Sequence, residues 1–218
     1  MFQGMVREPN RSLAPTSLEL HVGLAGIDFS YPRRHDMISA LIVVLGSVPI
    51  VLLSRRCLFS PGTHGFYRFF AFELILVLVV VNAPSWFLEP FVPRQLVSWV
   101  LLVLSIPLAL QPVHLLRSAG RPALRPGTET DLAFERTTRL VTTGVYRYVR
   151  HPMYASLLCL TWGAALKSPT GVSLALAAAA TGFLVATAKI EERENVVHFG
   201  DEYRAYMRHT RLFIPWLF

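Results

Sequence analysis

Five apolar blocks, with the charged residues pushed into the gaps between them, constrain this chain more than any other feature. They run Met37–Ser54, Phe69–Leu88, Gln95–Leu116, Tyr154–Leu166 and Gly171–Ala188. A bilayer core of ~30 Å takes about 20 apolar helical residues to cross. The second and third blocks are long enough and the first is marginal. The fourth has 13 residues, roughly 20 Å of helix, which points to a tilted or re-entrant segment, or one lengthened by its neighbours. Only 16% of the chain is charged and its mean hydropathy is +0.44, where soluble domains carry about 25% charged residues. The expected fold class is therefore all-α: a polytopic, multi-pass integral membrane protein of about five transmembrane helices, ending in a helical hairpin and a tail. Pro49, Pro84, Pro107 and Pro112 should kink the first three helices, which membrane helices tolerate when neighbours satisfy the freed carbonyls.

Three regions follow. Residues 1–36 are a polar N-terminal tail with no apolar stretch of the kind a signal peptide needs. Residues 37–116 hold three transmembrane helices. Residues 117–218 comprise a long polar loop, the hairpin and the tail. With five crossings, fifteen of the 21 basic residues fall on one face, among them Arg55, Arg56, Arg68, Arg117, Arg139, Arg147, Arg150, Lys189 and Arg193. The other face has Arg7, Arg11, Arg33, Arg34, Arg94 and Lys167. The positive-inside rule makes the first face cytoplasmic, so the long loop and the tail meet there. The same distribution explains the net charge of +7 without a nucleic-acid partner. Cys57 and Cys159 form no disulfide framework or metal-ligand spacing, and His21, His35, His64 and His114 show no ligand spacing, so no metal site is expected.

Two segments on that face need an explanation. "RHPMY", Arg150–Tyr154, sets a cation and an imidazole at the mouth of the fourth block. One reading is a basic flank with Pro at the first helical turn. "KIEERENVVHFGDEYRAYMRHTRLFIP" follows the fifth block, and the positive-inside rule does not explain Glu191, Glu192 and Glu194 at a cytoplasmic helix end. One reading is a surface helix continuing past the bilayer, with Val196, Phe199, Tyr203, Tyr206 and Met207 at three- or four-residue spacing. The other is a site. Carboxylates facing an Arg-His loop suit a small polar ligand that is partly cationic, such as S-adenosylmethionine. Tyr146, Tyr148, Tyr154 and Tyr203 are available for stacking and cation–π contact. No GxGxxG cradle favours a dinucleotide.

Together, "RLVTTGVYRYVRHPMY" and the later "EE…FGDEYRAY…R…IP" resemble the isoprenylcysteine carboxyl methyltransferase family of integral membrane enzymes, over about Thr138–Pro215. The resemblance implies methyl transfer from S-adenosylmethionine, bound in a cytoplasmic pocket between the last two membrane helices and the tail. It also implies a set of cofactor residues: Thr138, Arg139, Leu140, Val141, Tyr146, His151, Pro152, Met153, Tyr154 and Glu191. The chain departs from the family pattern at Thr187, where enzymes acting on prenylated cysteine carry an Arg, and in the upstream segment "GRPALRPGTETDLAFERT".

The expected chemistry is in-line transfer to a lipophilic or prenylated acceptor, with membrane lipids around it. A carboxylate acceptor is already ionised at neutral pH, whereas a thiol, phenol or amine gains from a general base. His151, Glu192 and His198 are the base candidates, and Arg150, if it faces the pocket, would orient an anionic acceptor. Two rival readings remain. Sterol reductases, which use NADPH, are similar in this same C-terminal region. A transporter or scaffold subunit would draw on Glu73, an intramembrane carboxylate that could instead pair with Arg68.

Overall fold

The computed structural model describes residues 34–120 and 137–215. The N-terminal tail up to Arg33, the loop residues Arg121, Arg125 and Arg136, and Trp216 lie outside the described residues. The described chain holds six α-helices: α1 Arg34–Ser54, α2 His64–Asn82, α3 Pro93–Ala119, α4 Pro152–Ala165, α5 Gly171–Phe199 and α6 Asp201–His209. Among the described residues there is no strand, only a lone parallel bridge between Val149 and Arg211. Four stretches are long and apolar enough to cross a bilayer: Asp36–Ser54, His64–Ser85, Pro93–Ala119 and Gly171–Phe199. Most large apolar side chains of α1 face outward, Leu41, Val44 and Leu45 among them, as suits a helix whose solvent is lipid.

α2 and α5 pack antiparallel through small residues. Ser173, Ala177, Ala180, Leu184 and Thr187 recur at four- and three-residue steps along α5 and are all fully buried. They meet Ala71, Ile75 and Leu78 of α2. Small side chains let two backbones approach closely, which is how helices associate where lipid removes the hydrophobic drive. Thr170 caps α5 by accepting from Ser173 N. Ser173 Oγ in turn donates to Asn82 Oδ1 at 3.1 Å, joining the two helices at the end far from the tail.

α4 has 14 residues, about 21 Å of helix. It is too short to span by length alone, yet it runs antiparallel beside α3. Ser98 Oγ donates to Gly163 O at 2.6 Å, and a Cβ on Gly163 would stand 2.9 Å from Leu102 Cγ. At its end, Lys167 Nζ lies 3.4 Å from the Trp99 ring centroid and 3.0 Å from Gln95 Oε1, at the start of α3. The short block is thus complemented by its flanks, His151 on one side and Lys167 on the other.

α5 continues eleven residues beyond the apolar block that ends at Ala188 and stops at Phe199. Gly200 then takes φ +60°, a left-handed conformation that glycine enters cheaply, and α6 begins. Glu73 accepts from Ser47 Oγ of α1 at 2.6 Å, so its carboxylate ties the first two helices together.

Candidate active site

The end of α3, the loop before α4, the start of α4, the end of α5 and α6 converge at one end of the bundle. Gly120 closes α3, and its carbonyl accepts from Thr138 N and Arg139 N. The loop turns at Gly144, whose φ is +62° and where an added Cβ would stand 2.6 Å from Leu115 Cδ1. The positive φ favours glycine, and any side chain here would also have to displace the Leu115 methyl. A short 3₁₀ turn, Gly144–Arg147, then aims Tyr146 inward, and Tyr206 Oη donates to Tyr146 O at 2.6 Å.

The three residues Arg150, His151 and Pro152 divide their labour. Their backbone is pinned by the segment after α6: Arg150 N donates to Arg211 O at 2.8 Å and His151 N to Leu212 O at 3.1 Å. Arg150 reaches sideways. Its Nε donates to Glu192 Oε1 at 2.6 Å and its Nη1 to the carbonyls of Met207 and Thr210. His151 points into the bundle and accepts Ala155 N on its carbonyl. Pro152 starts α4 at the position where its missing N–H costs nothing.

The three carboxylates that topology left unexplained fan out from α5 to three different elements. Tyr154 Oη of α4 donates to Glu191 Oε2 at 2.5 Å. Glu192 pairs with Arg150 of the loop, and Lys189 Nζ stands 3.5 Å from its other oxygen. Glu194 accepts from both the backbone N–H and the ring Nδ1 of His64, at 3.2 and 2.5 Å, at the start of α2. Residues 191, 192 and 194 sit at about 100° per residue around a helix, which is why adjacent acids can serve separate partners.

These ties frame a pocket of about 70 Å³. That is smaller than the ~300–1,000 Å³ of small-molecule sites, so a ligand of that size enters only as side chains of the wall move outward. Its walls include Leu140, Val141, Tyr146, Arg150, His151, Pro152, Met153, Tyr154 and Glu191. Thr138 and Arg139 are exposed and lie outside it, with Thr137 lining it in their place. Glu192 is buried behind Arg150 rather than on the wall, and His198 is exposed beside Phe199. Tyr148 is also exposed and off the pocket. Reading the sequence missed Asn195, Phe199, Tyr206 and Leu116. Phe199 and Tyr206 belong to the apolar set of the surface-helix reading and Asn195 lies outside it; the turn at Gly200 separates α5 from α6, and both line the site.

His151 is the chemically distinctive wall residue. It is buried, its ring lies nearly parallel to Tyr154 at 5.5 Å, and its Nε2 has no hydrogen-bond partner. Burial pushes its pKa down to about 3, against the pull of Glu192 and with help from Arg150, so the imidazole is neutral at pH 7. Burial also raises the Tyr203 and Tyr206 phenols above their usual range, keeping them as hydrogen-bond donors. The arrangement offers a fixed carboxylate, a neutral imidazole with an open nitrogen, and an aromatic wall.

The cavity is assembled from a loop, helix ends and a folded-back tail, and comparison with known proteins bears on what it belongs to. Residues 96–202, about half of the chain, match the model of the phospholipid methyltransferase family. The match bears out the resemblance to the isoprenylcysteine carboxyl methyltransferase-like integral membrane enzymes. Similar curated proteins include methanethiol S-methyltransferase 1 of Bradyrhizobium diazoefficiens, 36% identical over 78 residues, which are 36% of this chain and 27% of that protein. The methanethiol S-methyltransferase of Mycobacterium tuberculosis is 33% identical over 72 residues, 33% of this chain and 29% of its own. That of Pseudomonas deceptionensis is 33% identical over 93 residues, 43% and 32% of the two chains. The chain thus spans about a third or less of the length of these relatives. No solved structure matches it significantly.

Proposed function

We propose that this protein is an integral membrane methyltransferase that moves a methyl group from S-adenosylmethionine to a lipophilic acceptor at the cytoplasmic face. One observation carries the reading: Glu191, His151 and an aromatic wall converge on one pocket whose lining falls, apart from Tyr203 and Tyr206, inside the region that matches the methyltransferase family. The residues present suit the donor in their chemistry, and the cavity of about 70 Å³ has to widen to admit it. Glu191 is a fixed anion for an ammonium or sulfonium charge, and the unpartnered buried Nε2 of His151 offers a polar contact. Tyr146, Phe199 and Tyr203 supply faces for stacking and cation–π contact. When bound, S-adenosylmethionine supplies an activated methyl group on a positively charged sulfur. The protein's own part is positioning and water exclusion, which together lower such barriers by up to ~7–11 kcal/mol.

The acceptor is read from the surroundings. The relatives are named for methanethiol, which supports a thiol. A second cavity, lined by Leu158, Val185, Leu212, Phe213 and Ile214, shares Arg150 with the pocket, and its apolar lining supports an acceptor with a longer apolar body, a prenylcysteine-like carboxylate among them. Thr187, where prenylcysteine enzymes carry an Arg, is fully buried with its hydroxyl donating to Phe183 O. It does not replace that Arg. The decisive experiment is calorimetric titration of the detergent-purified protein with S-adenosylmethionine and, in parallel, NADPH, with Glu191→Ala as control. Binding of the first that is lost in the variant is the expected result. Binding of NADPH alone would move the chain to the reductases, and binding of neither would end the enzyme reading.

A further inference from the structure

We infer that His64, at the start of α2 and outside the family-matched residues 96–202, is a positioning residue for the donor pocket; this rests on the methyltransferase reading above. The pocket wall depends on the last turns of α5, where Glu191, Asn195 and Phe199 recur at four-residue steps and so share one face. Those turns lie beyond the small-residue stripe that seats α5 on α2. They are held instead by side chains. Tyr154 and Arg150, which grip Glu191 and Glu192, are themselves pocket-lining residues, so they come from the same wall they support.

His64 is the fixed point from outside. It is 4% exposed, and its backbone N–H and ring Nδ1–H hold both oxygens of Glu194. Two donors from one residue fix the carboxylate's position and its orientation. A bidentate grip of this kind sets the rotation of α5 about its own axis, which a single bond does not. Glu194 is one turn from Glu191 and adjacent to Asn195, so a rotation released there swings both away from the pocket. The helix pair α2–α5 has a second polar link, Ser173 to Asn82, at the opposite end of the bundle. It joins the same two helices without touching the site, and so separates positioning from simple helix association.

The test uses the full chain in nanodiscs, measuring the S-adenosylmethionine Kd by calorimetry and Tm for wild type, His64→Leu, His64→Asn, Glu194→Gln and Ser173→Ala. Loss of a bond to a charged group predicts about tenfold weaker donor binding in His64→Leu. His64→Asn, which keeps a donor near the Nδ1 position, should restore most of it. Ser173→Ala should lower Tm and leave Kd unchanged. Wild-type Kd in His64→Leu, or weakening in Ser173→Ala equal to that in His64→Leu, overturns the assignment. If His64→Leu does not fold, Glu194→Gln decides by the same criterion, because its amide NH₂ faces one of the two donors. Absence of donor binding by the wild type would instead refute the methyltransferase reading itself.

Discussion

Arg150→Met is the perturbation whose outcome the structure fixes most tightly. Arg150 and Glu192 are 9% and 6% exposed in their side chains and meet at 2.6 Å. Removing one member of a buried pair costs about 3–5 kcal/mol, chiefly because the other charge stays buried and unpaired. Lys189 stands 3.5 Å from the second Glu192 oxygen, but its side chain is 57% exposed, so it offsets only part of the loss. The lower end, about 3 kcal/mol, is the expected value, and at ~2–4 °C per kcal/mol for a chain of this size Tm should fall by about 6–12 °C. Thermal unfolding of detergent-purified protein reads this directly. The double variant Arg150→Met/Glu192→Leu should recover most of the loss, since no buried charge is left alone. A single variant with wild-type Tm and abolished methyl transfer would refute the reasoning and make Arg150 a substrate contact instead of a tie between loop, α5 and the segment after α6.

Three further expectations follow from named contacts. His151 has a folded pKa depressed to about 3 from an ordinary 6.5. The unfolded chain therefore binds the extra proton between those values, and stability present above pH 6.5 is lost as pH falls toward 3, with a slope approaching ~1.4 kcal/mol per pH unit. His151→Gln should flatten that acid limb in pH-dependent unfolding; an unchanged limb would show that other groups carry it. Thr187→Arg should fail to create an anion site, because the position is fully buried between helices; a drop in folded yield is expected, and a well-folded variant with a new preference for carboxylate acceptors would contradict it. Gly144→Ala should cost about 1–2 kcal/mol for the left-handed backbone plus the clash with Leu115, read as a lower Tm together with weaker donor binding.

Much of the architecture was legible because lipid imposes a simple rule. Helices α1, α2, α3 and α5 each follow an apolar block, and their ends differ from the block ends mainly where proline or a cap decides. α2 gives way at Asn82, just before the 3₁₀ turn that contains Pro84, and α3 starts with Pro93 as its first residue. The inward set from Leu140 to Tyr154 was legible through the motif, because Gly144 and Pro152 fix the backbone that aims those side chains. What stayed hidden depends on partners distant in sequence. Glu194 reads as one more acid in a run, and His64 as a histidine without ligand spacing, until the chain brings the two together across 130 residues. Local pattern also could not separate a surface helix from a pocket wall, since α6 is amphipathic under either reading.

The backbone bonds from Arg150 and His151 to Arg211 and Leu212 carry a consequence for the order of events during synthesis. Arg150 leaves the ribosome 60 residues ahead of Thr210, whose carbonyl it will hold. At ~5–20 residues per second that interval is about 3–12 s. All the apolar helices are made within or before it, so the bundle can be seated in the bilayer while the cavity still lacks one wall. The cavity therefore gains its last wall only after translation has passed Thr210 and Leu212, when every apolar helix has already been made.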